Sequence, residues 1–255
     1  VQMFAPVGIL GIAPQLGNAL NADAAAALRQ TVRLPFAFAT IFGQINGFGG
    51  LLLMILAGAF VGGDWTWNIP RVFLVRNPSR LRYVGAKFAA LALMAAVWVL
   101  VSVPLGFVCA WLASVMLGLE SHVALNDLPL VGRGILISWL GLLPYLLLAT
   151  MWAVVGRSAV AGIAGSIGYW LLEIGFGAVS ILQMLGDFGA KLYNFSLAQS
   201  IGAWTNLTRM AFQLDVGRAF GQLGFSFPSL TQASVMIVIY CGMFAGMAWW
   251  GLRRR

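Results

Sequence analysis

Gly63-Asp64-Trp65-Thr66-Trp67-Asn68-Ile69-Pro70-Arg71-Val72-Phe73-Leu74-Val75-Arg76-Asn77-Pro78-Ser79-Arg80-Leu81-Arg82-Tyr83-Val84-Gly85-Ala86-Lys87 is a polar, densely basic segment between two long apolar runs. It sets Arg71, Arg76, Arg80, Arg82 and Lys87 against a single acid, Asp64. Short loops rich in Arg and Lys beside membrane spans stay on the cytoplasmic side, so residues 64–87 are expected to face the cytosol. Asn68 suits a helix cap and Pro70 a first helical turn, where a missing N–H costs nothing. Asn77-Pro78 stops that helix and starts the next. The expectation is a short surface helix that shows Val72, Phe73, Leu74 and Val75 together with Arg71 and Arg76. The plainer alternative is a loop whose arginines only anchor to anionic headgroups.

Composition asks for a membrane on its own. The 255 residues are 61% hydrophobic and 9% charged, with a mean hydropathy of +0.91, whereas soluble domains carry about 25% charged residues. At about 20 residues per spanning helix, six spans take roughly half of such a chain. The net charge of +8 does not point to nucleic acid, because the basic residues gather at span ends, where topology and anionic lipid require them. Cys109 and Cys241 each lie inside an apolar run without metal-ligand spacing and read as packing residues.

The spans follow in order. The chain begins at Val1 rather than Met, so a preceding segment is expected, and residues 1–16 read as the outer end of a first helix. Residues 35–62 form the second span. It holds Gly43-x-x-x-Gly47 and Gly58-x-x-x-Gly62, spacings that bring helices close. It also carries the mid-run amides Gln44 and Asn46, which either bond to a neighbouring helix or line a translocation path. Residues 84–117 are an over-long third span with Pro104 inside. Residues 134–155 are the fourth, followed by a tight turn at Gly156-Arg157-Ser158. Residues 159–185 are the fifth, carrying Glu173, which at bilayer depth must face protein or water. Residues 186–228 are too mixed to span and read as amphipathic or re-entrant helices on the outer side. Residues 229–252 are the last span.

Charge orients this arrangement. With the basic loop inside, the cytosolic side holds nine basic residues and one acid, and the other side six basic residues and five acids. Both termini are then cytosolic. No internal repeat stands out, which weakens an inverted-repeat secondary transporter. The fold class expected is all-α: one polytopic transmembrane domain over residues 1–255 with about six spans, a cytosolic coupling loop at 64–87 and the outer-side region at 186–228.

Asp64, the aromatic pair Trp65 and Trp67, Arg71, Phe73-Leu74, Ser79-Arg80 and Lys87 together resemble the first cytosolic loop of ABC-2-type permeases, the membrane subunits of one class of ABC transporters. Where that family has Gly-Thr, this chain has Asn68-Ile69. The resemblance is strong over the 25 residues of the loop and weaker, through the span pattern, elsewhere. It implies a cell-membrane exporter subunit that pairs with a second permease, identical or related. Each would dock an ATPase subunit through Asn68, Ile69, Pro70, Arg71, Val72, Phe73, Leu74 and Arg76. ATP and Mg belong to that partner. The chain itself has no phosphate-binding Gly-x-x-x-x-Gly-Lys-Ser/Thr loop, no Ser–His–Asp set and a single histidine, His122. It is not expected to be an enzyme or to hold a cofactor or metal. Two other readings compete: a secondary transporter or channel coupled through Glu173, and a polytopic scaffold without transport.

Overall fold

A computed structural model describes residues 33–67, 80–119, 127–177, 194–212 and 228–253. Every element among them is helical. The first span is α1 (Ala37–Gln44), a π-helical turn (Ile45–Gly49) and α2 (Gly50–Thr66), running on without a break. Then come α3 (Arg80–Met116), α4 (Leu128–Gly156), α5 (Ala159–Gly177), α6 (Leu197–Ala211) and α7 (Leu230–Arg253). Four helices are long and apolar enough to cross a membrane: Ala37–Thr66, Arg82–Met116, Leu128–Gly156 and Leu230–Arg253. α5 is a shorter apolar helix. The expected first span at 1–16 lies outside the described residues, so the count of six rests on sequence alone.

α2 and α4 form the centre, and α3 and α7 lie outside with most of their surface exposed. Leu53, Met54, Ala57 and Val61 of α2 pack with Leu142, Leu146, Ala149 and Ala153 of α4 in one apolar core. Lipid tails are as apolar as leucine, so helices in a membrane associate through close packing of small residues. The Gly58-x-x-x-Gly62 spacing does this. A methyl on Gly62 would sit 2.4 Å from the backbone nitrogen of Ala159, and one on Gly58 would sit 2.7 Å from the carbonyl carbon of Gly162. The second spacing does not behave alike, since the space beside Gly47 is open.

α4 and α5 form a hairpin closed by two residues. Arg157 takes the left-handed conformation (φ 51°) that ends α4, and the Ser158 hydroxyl accepts from the Ala161 N–H at 3.0 Å, capping α5. α3 and α4 continue through Pro104 and Pro144 without interruption.

Amphipathic or re-entrant helices were expected over residues 186–228; the described part, α6, is a helix packed into the bundle against α1, α4 and α7. Its 15 residues make about 22 Å of helix, too short to cross. One end lies beside Glu173. The Phe212 ring, just past the other end, lies 5.5 Å from the Phe38 ring at the start of α1. Counted along α5, Glu173 is 14 residues (173 − 159) from the Gly62 contact at Ala159, about 21 Å. α6 therefore starts midway up the bundle and runs to the end opposite the basic loop.

Candidate functional site: the basic-loop flanks and the buried polar centre

The proposed docking residues Asn68, Ile69, Pro70, Arg71, Val72, Phe73, Leu74 and Arg76, together with Ser79, lie outside the described residues, as does the side chain of Arg80. The flanks of the loop are described, and the structure joins them. Asp64 lies buried in the last turns of α2. A carboxylate there opposes the negative end of the helix dipole, so it needs positive partners. Lys87 of α3 supplies one, with Nζ 2.8 Å from Asp64 Oδ2, and the Tyr83 hydroxyl donates to the same oxygen. The Lys87 ammonium also lies 3.9 Å from the centroid of the Phe60 ring, a cation–π distance. Phe60 and Asp64 are four apart on α2, and Tyr83 and Lys87 four apart on α3, so each pair shares one helix face. The four side chains form a clasp between the two described flanks of the loop. On the other flank of α2, the Arg157 guanidinium sits 5.6 Å from the Trp65 ring.

The polar centre lies higher. The π-helical turn Ile45–Gly49 offsets the helix face at the point where Gln44 and Asn46 occur. Such turns are rare and frequently sit at functional sites. Asn46 points inward: its Nδ2 donates to Ser138 Oγ of α4 at 3.1 Å and to the Phe42 carbonyl at 3.0 Å, while its buried Oδ1 has no partner among the described residues. Gln44 is exposed and lines a groove against α3.

Glu173 is 6% exposed. Its Oε1 accepts from the Ala198 backbone N–H at 3.1 Å and from the Tyr169 hydroxyl at 3.2 Å. The first N–H groups of any helix lack intrahelical partners, and inside a bilayer no water can satisfy them. α6 begins at that depth, which explains a carboxylate there. Ser196 helps by accepting from the Gln199 N–H at 3.2 Å, and the Tyr240 hydroxyl donates to the Phe195 carbonyl at 3.1 Å. Glu173 thus holds α5 to the start of α6. Among the described residues its buried Oε2 has no partner, nor do Gln199 Oε1, Asn206 Oδ1 and Thr208 Oγ1 on α6.

The structure brings Asp64 and Lys87 together, and it keeps Gln44, Asn46 and Glu173 in three separate settings. Sequence reading missed Tyr83 and Phe60 at the clasp, Ser138 opposite Asn46, and Tyr169 and Tyr240 near Glu173. A signal was present for three of them, since Phe60/Asp64, Tyr83/Lys87 and Tyr169/Glu173 are all four apart on helices. Among the described residues no cluster of three His, Cys, Asp or Glu could hold a metal. No protein family, curated protein or solved structure matches this chain. The helices themselves mark it as an all-helical membrane protein, with four segments fit to span.

Proposed function

We propose that this chain is the permease subunit of an ATP-driven exporter resembling the ABC-2 type. Two such subunits, identical or related, pair in the cell membrane with both termini and residues 64–87 in the cytosol. Each binds a separate ATPase subunit, which carries the ATP and Mg. The observation that supports this reading best is the clasp of Asp64, Tyr83, Lys87 and Phe60. It ties α2 to α3 at the two flanks of the basic loop, so a load on the loop reaches both helices at once. α2 is in turn seated on α5 through Gly58 and Gly62, which carries the movement into the bundle.

Phe73, Leu74 and their apolar neighbours suit burial in a partner's groove, where one large side chain contributes about 1.5–3 kcal/mol. Arg71 and Arg76 suit acidic groups on its rim. The double variant Phe73→Ala/Arg71→Glu is expected to insert and dimerise but to lose co-purification of the ATPase subunit, or to leave ATP hydrolysis uncoupled from export. Full co-purification and full export in that variant would sink the reading.

A second reading, ion-coupled transport through Glu173, draws support from the unpartnered buried Oε2. Uptake driven by an ion gradient with no ATPase subunit present would favour it.

A further inference from the structure

A cavity of about 230 Å³ opens at the basic-loop end, between the first turns of α3 and the last turns of α7. Gly85 and Phe88 stand on one wall, Ala245, Trp249 and Leu252 on the other, and Thr150 of α4 on the floor. The Thr150 hydroxyl donates to the Leu146 carbonyl at 2.8 Å, so the floor asks for no polar partner. The wall is low at Gly85, where a methyl would meet nothing within 4 Å. α3 and α7 are mostly uncovered, so the cavity faces the membrane. Its volume is below the usual range for whole small molecules, about 300–1,000 Å³, and suits one chain of a larger amphiphile.

Charge selects that amphiphile. Arg253 follows Leu252 on α7, and its guanidinium lies 3.5 Å from the centroid of the Trp249 ring. Stacking holds the guanidinium over the wall and leaves its in-plane N–H groups free to bind an anion. Arg82, exposed, is one turn before Gly85 on α3. Neither arginine has a carboxylate partner among the described residues. None is at hand, because α3, α4 and α7 contain no Asp or Glu. Asp64, the described acid at this end, is engaged by Lys87 and Tyr83. Two guanidiniums therefore flank an apolar cavity with no acid to attract an ammonium group, which disfavours zwitterionic headgroups.

Depth agrees. Arg82 is five residues (87 − 82) beyond Lys87, about 7 Å. With the Asp64–Lys87 pair at the edge of the hydrocarbon, that is the headgroup layer, which adds about 5–8 Å on each side of the core. Ala245 is eight residues (253 − 245) above Arg253, about 12 Å, so the cavity runs into the hydrocarbon of one leaflet. The geometry points to a binding site for an anionic phospholipid of the phosphatidylglycerol class. Its phosphate lies between Arg82 and Arg253, and one acyl chain enters between Gly85 and Ala245. The site does not depend on the chain working with an ATPase.

The test uses the full chain in phosphatidylcholine nanodiscs at physiological salt, with a phosphatidylglycerol that carries a diazirine in one acyl chain. Saturable adducts are expected at Phe88 and at Ala245–Trp249, displaced by unlabelled phosphatidylglycerol but not by added phosphatidylethanolamine. Arg82→Gln and Arg253→Gln should each weaken binding about fivefold, the contribution of one basic residue at an anionic surface. Arg157→Gln, at the same end but stacked on Trp65, should leave it unchanged. Ala245→Phe should abolish the adducts by filling the cavity. Elution profile and helix content check folding; if Ala245→Phe does not fold, Gly85→Leu blocks the cavity from the other wall. Five results would overturn the site. Displacement by phosphatidylethanolamine as effective as by phosphatidylglycerol would make the occupant ordinary solvating lipid. An equal loss in Arg157→Gln would make the attraction a property of the whole basic end. Undiminished adducts in a folded, blocked variant would put the chain elsewhere. Displacement by glycerol phosphate as effective as by the lipid would make it a soluble-anion site. Cross-links joining two copies through Trp249 would make the cavity a protein contact.

Discussion

The two flanks of α2 are built in opposite ways. Toward α5 it presents Gly58 and Gly62, and the backbones meet with no room for a methyl group. Elsewhere, α2 and the π-helical turn before it show Phe48, Leu52, Leu56 and Phe60, spaced four apart and all exposed. That stripe begins in the groove at Phe48 and ends under the Lys87 ammonium at Phe60. α3 is tied to the bundle at separate points: the clasp below, the Trp139 indole N–H donating to the Ala92 carbonyl at 2.9 Å midway, and the Phe107 ring stacked 6.1 Å from Phe38 above. The difference teaches how one helix serves two purposes. Small residues fuse α2 and α5 into a single block. Large residues leave α2 and α3 joined at the clasp, and the groove lies above it between the π-helical turn and α3.

The largest effect is expected from breaking the fused flank. A side chain at Gly62 would meet the backbone of Ser158 and Ala159, which cannot step aside as a flexible side chain does. Gly62→Leu should destabilise the folded protein by about 3 kcal/mol or more, the upper end for overpacking. Gly63→Ala is the matched control: its methyl meets nothing within 4 Å, and it should be neutral or stabilising by up to about 1 kcal/mol. Unfolding in mixed micelles reads both. Equal stability of the two variants would show that the α2–α5 contact is not the firm one.

A smaller effect should follow from opening the clasp. Asp64 and Lys87 are largely buried, at 10% and 20% side-chain exposure, so their pairing lies between an exposed and a fully buried ion pair. Asp64→Ala or Lys87→Ala should each cost about 2 kcal/mol, because one group is left charged and unpaired. The double variant should cost less than the sum of the two. Hydrogen exchange should quicken in the first turns of α3 and stay unchanged where α2 meets α5. Quickening in both places would mean that the two flanks respond as one.

Much of this organisation was legible in the sequence, and the lapses have physical causes. Gly58-x-x-x-Gly62 was read correctly because small residues one turn apart have a direct steric consequence. Gly43-x-x-x-Gly47 has the same spacing, but Gly47 falls in the π-helical turn, which offsets the face, and no periodicity in a single chain announces that turn. The apolar runs placed the four long helices. Residues 186–228 left amphipathic and re-entrant readings open, because α6 carries Gln199, Thr205, Asn206 and Thr208 inward, and a polar helix inside a bundle looks like a surface helix until its partners are known. The groove was invisible, since Gln44 and Ser102 are 58 residues apart (102 − 44) and meet only through the packing of α1 on α3.

The smallest effect concerns Glu173, which belongs to neither flank and tests whether the centre of the bundle is a joint or a path. Its Oε1 accepts from Ala198 N–H and the Tyr169 hydroxyl, and a glutamine keeps an oxygen in that place. Glu173→Gln exchanges the carboxyl for a neutral amide at the positive end of α6, which should cost no more than about 1 kcal/mol. Glu173→Ala removes the acceptor as well and leaves a helix start without it at a depth where water is scarce, so it should cost about 1–2 kcal/mol, the value of a lost cap. The two losses should therefore be ordered Ala greater than Gln, with α6 frayed at Ala198 in the alanine variant by hydrogen exchange. Transport then separates the readings. If Glu173 is only the joint, Glu173→Gln transports as wild type, and Glu173→Ala loses activity in step with stability. If Glu173→Gln is stable yet inactive, the unpartnered Oε2 is part of the path, and the carboxylate serves the cargo or its coupling ion as well as the helix it caps.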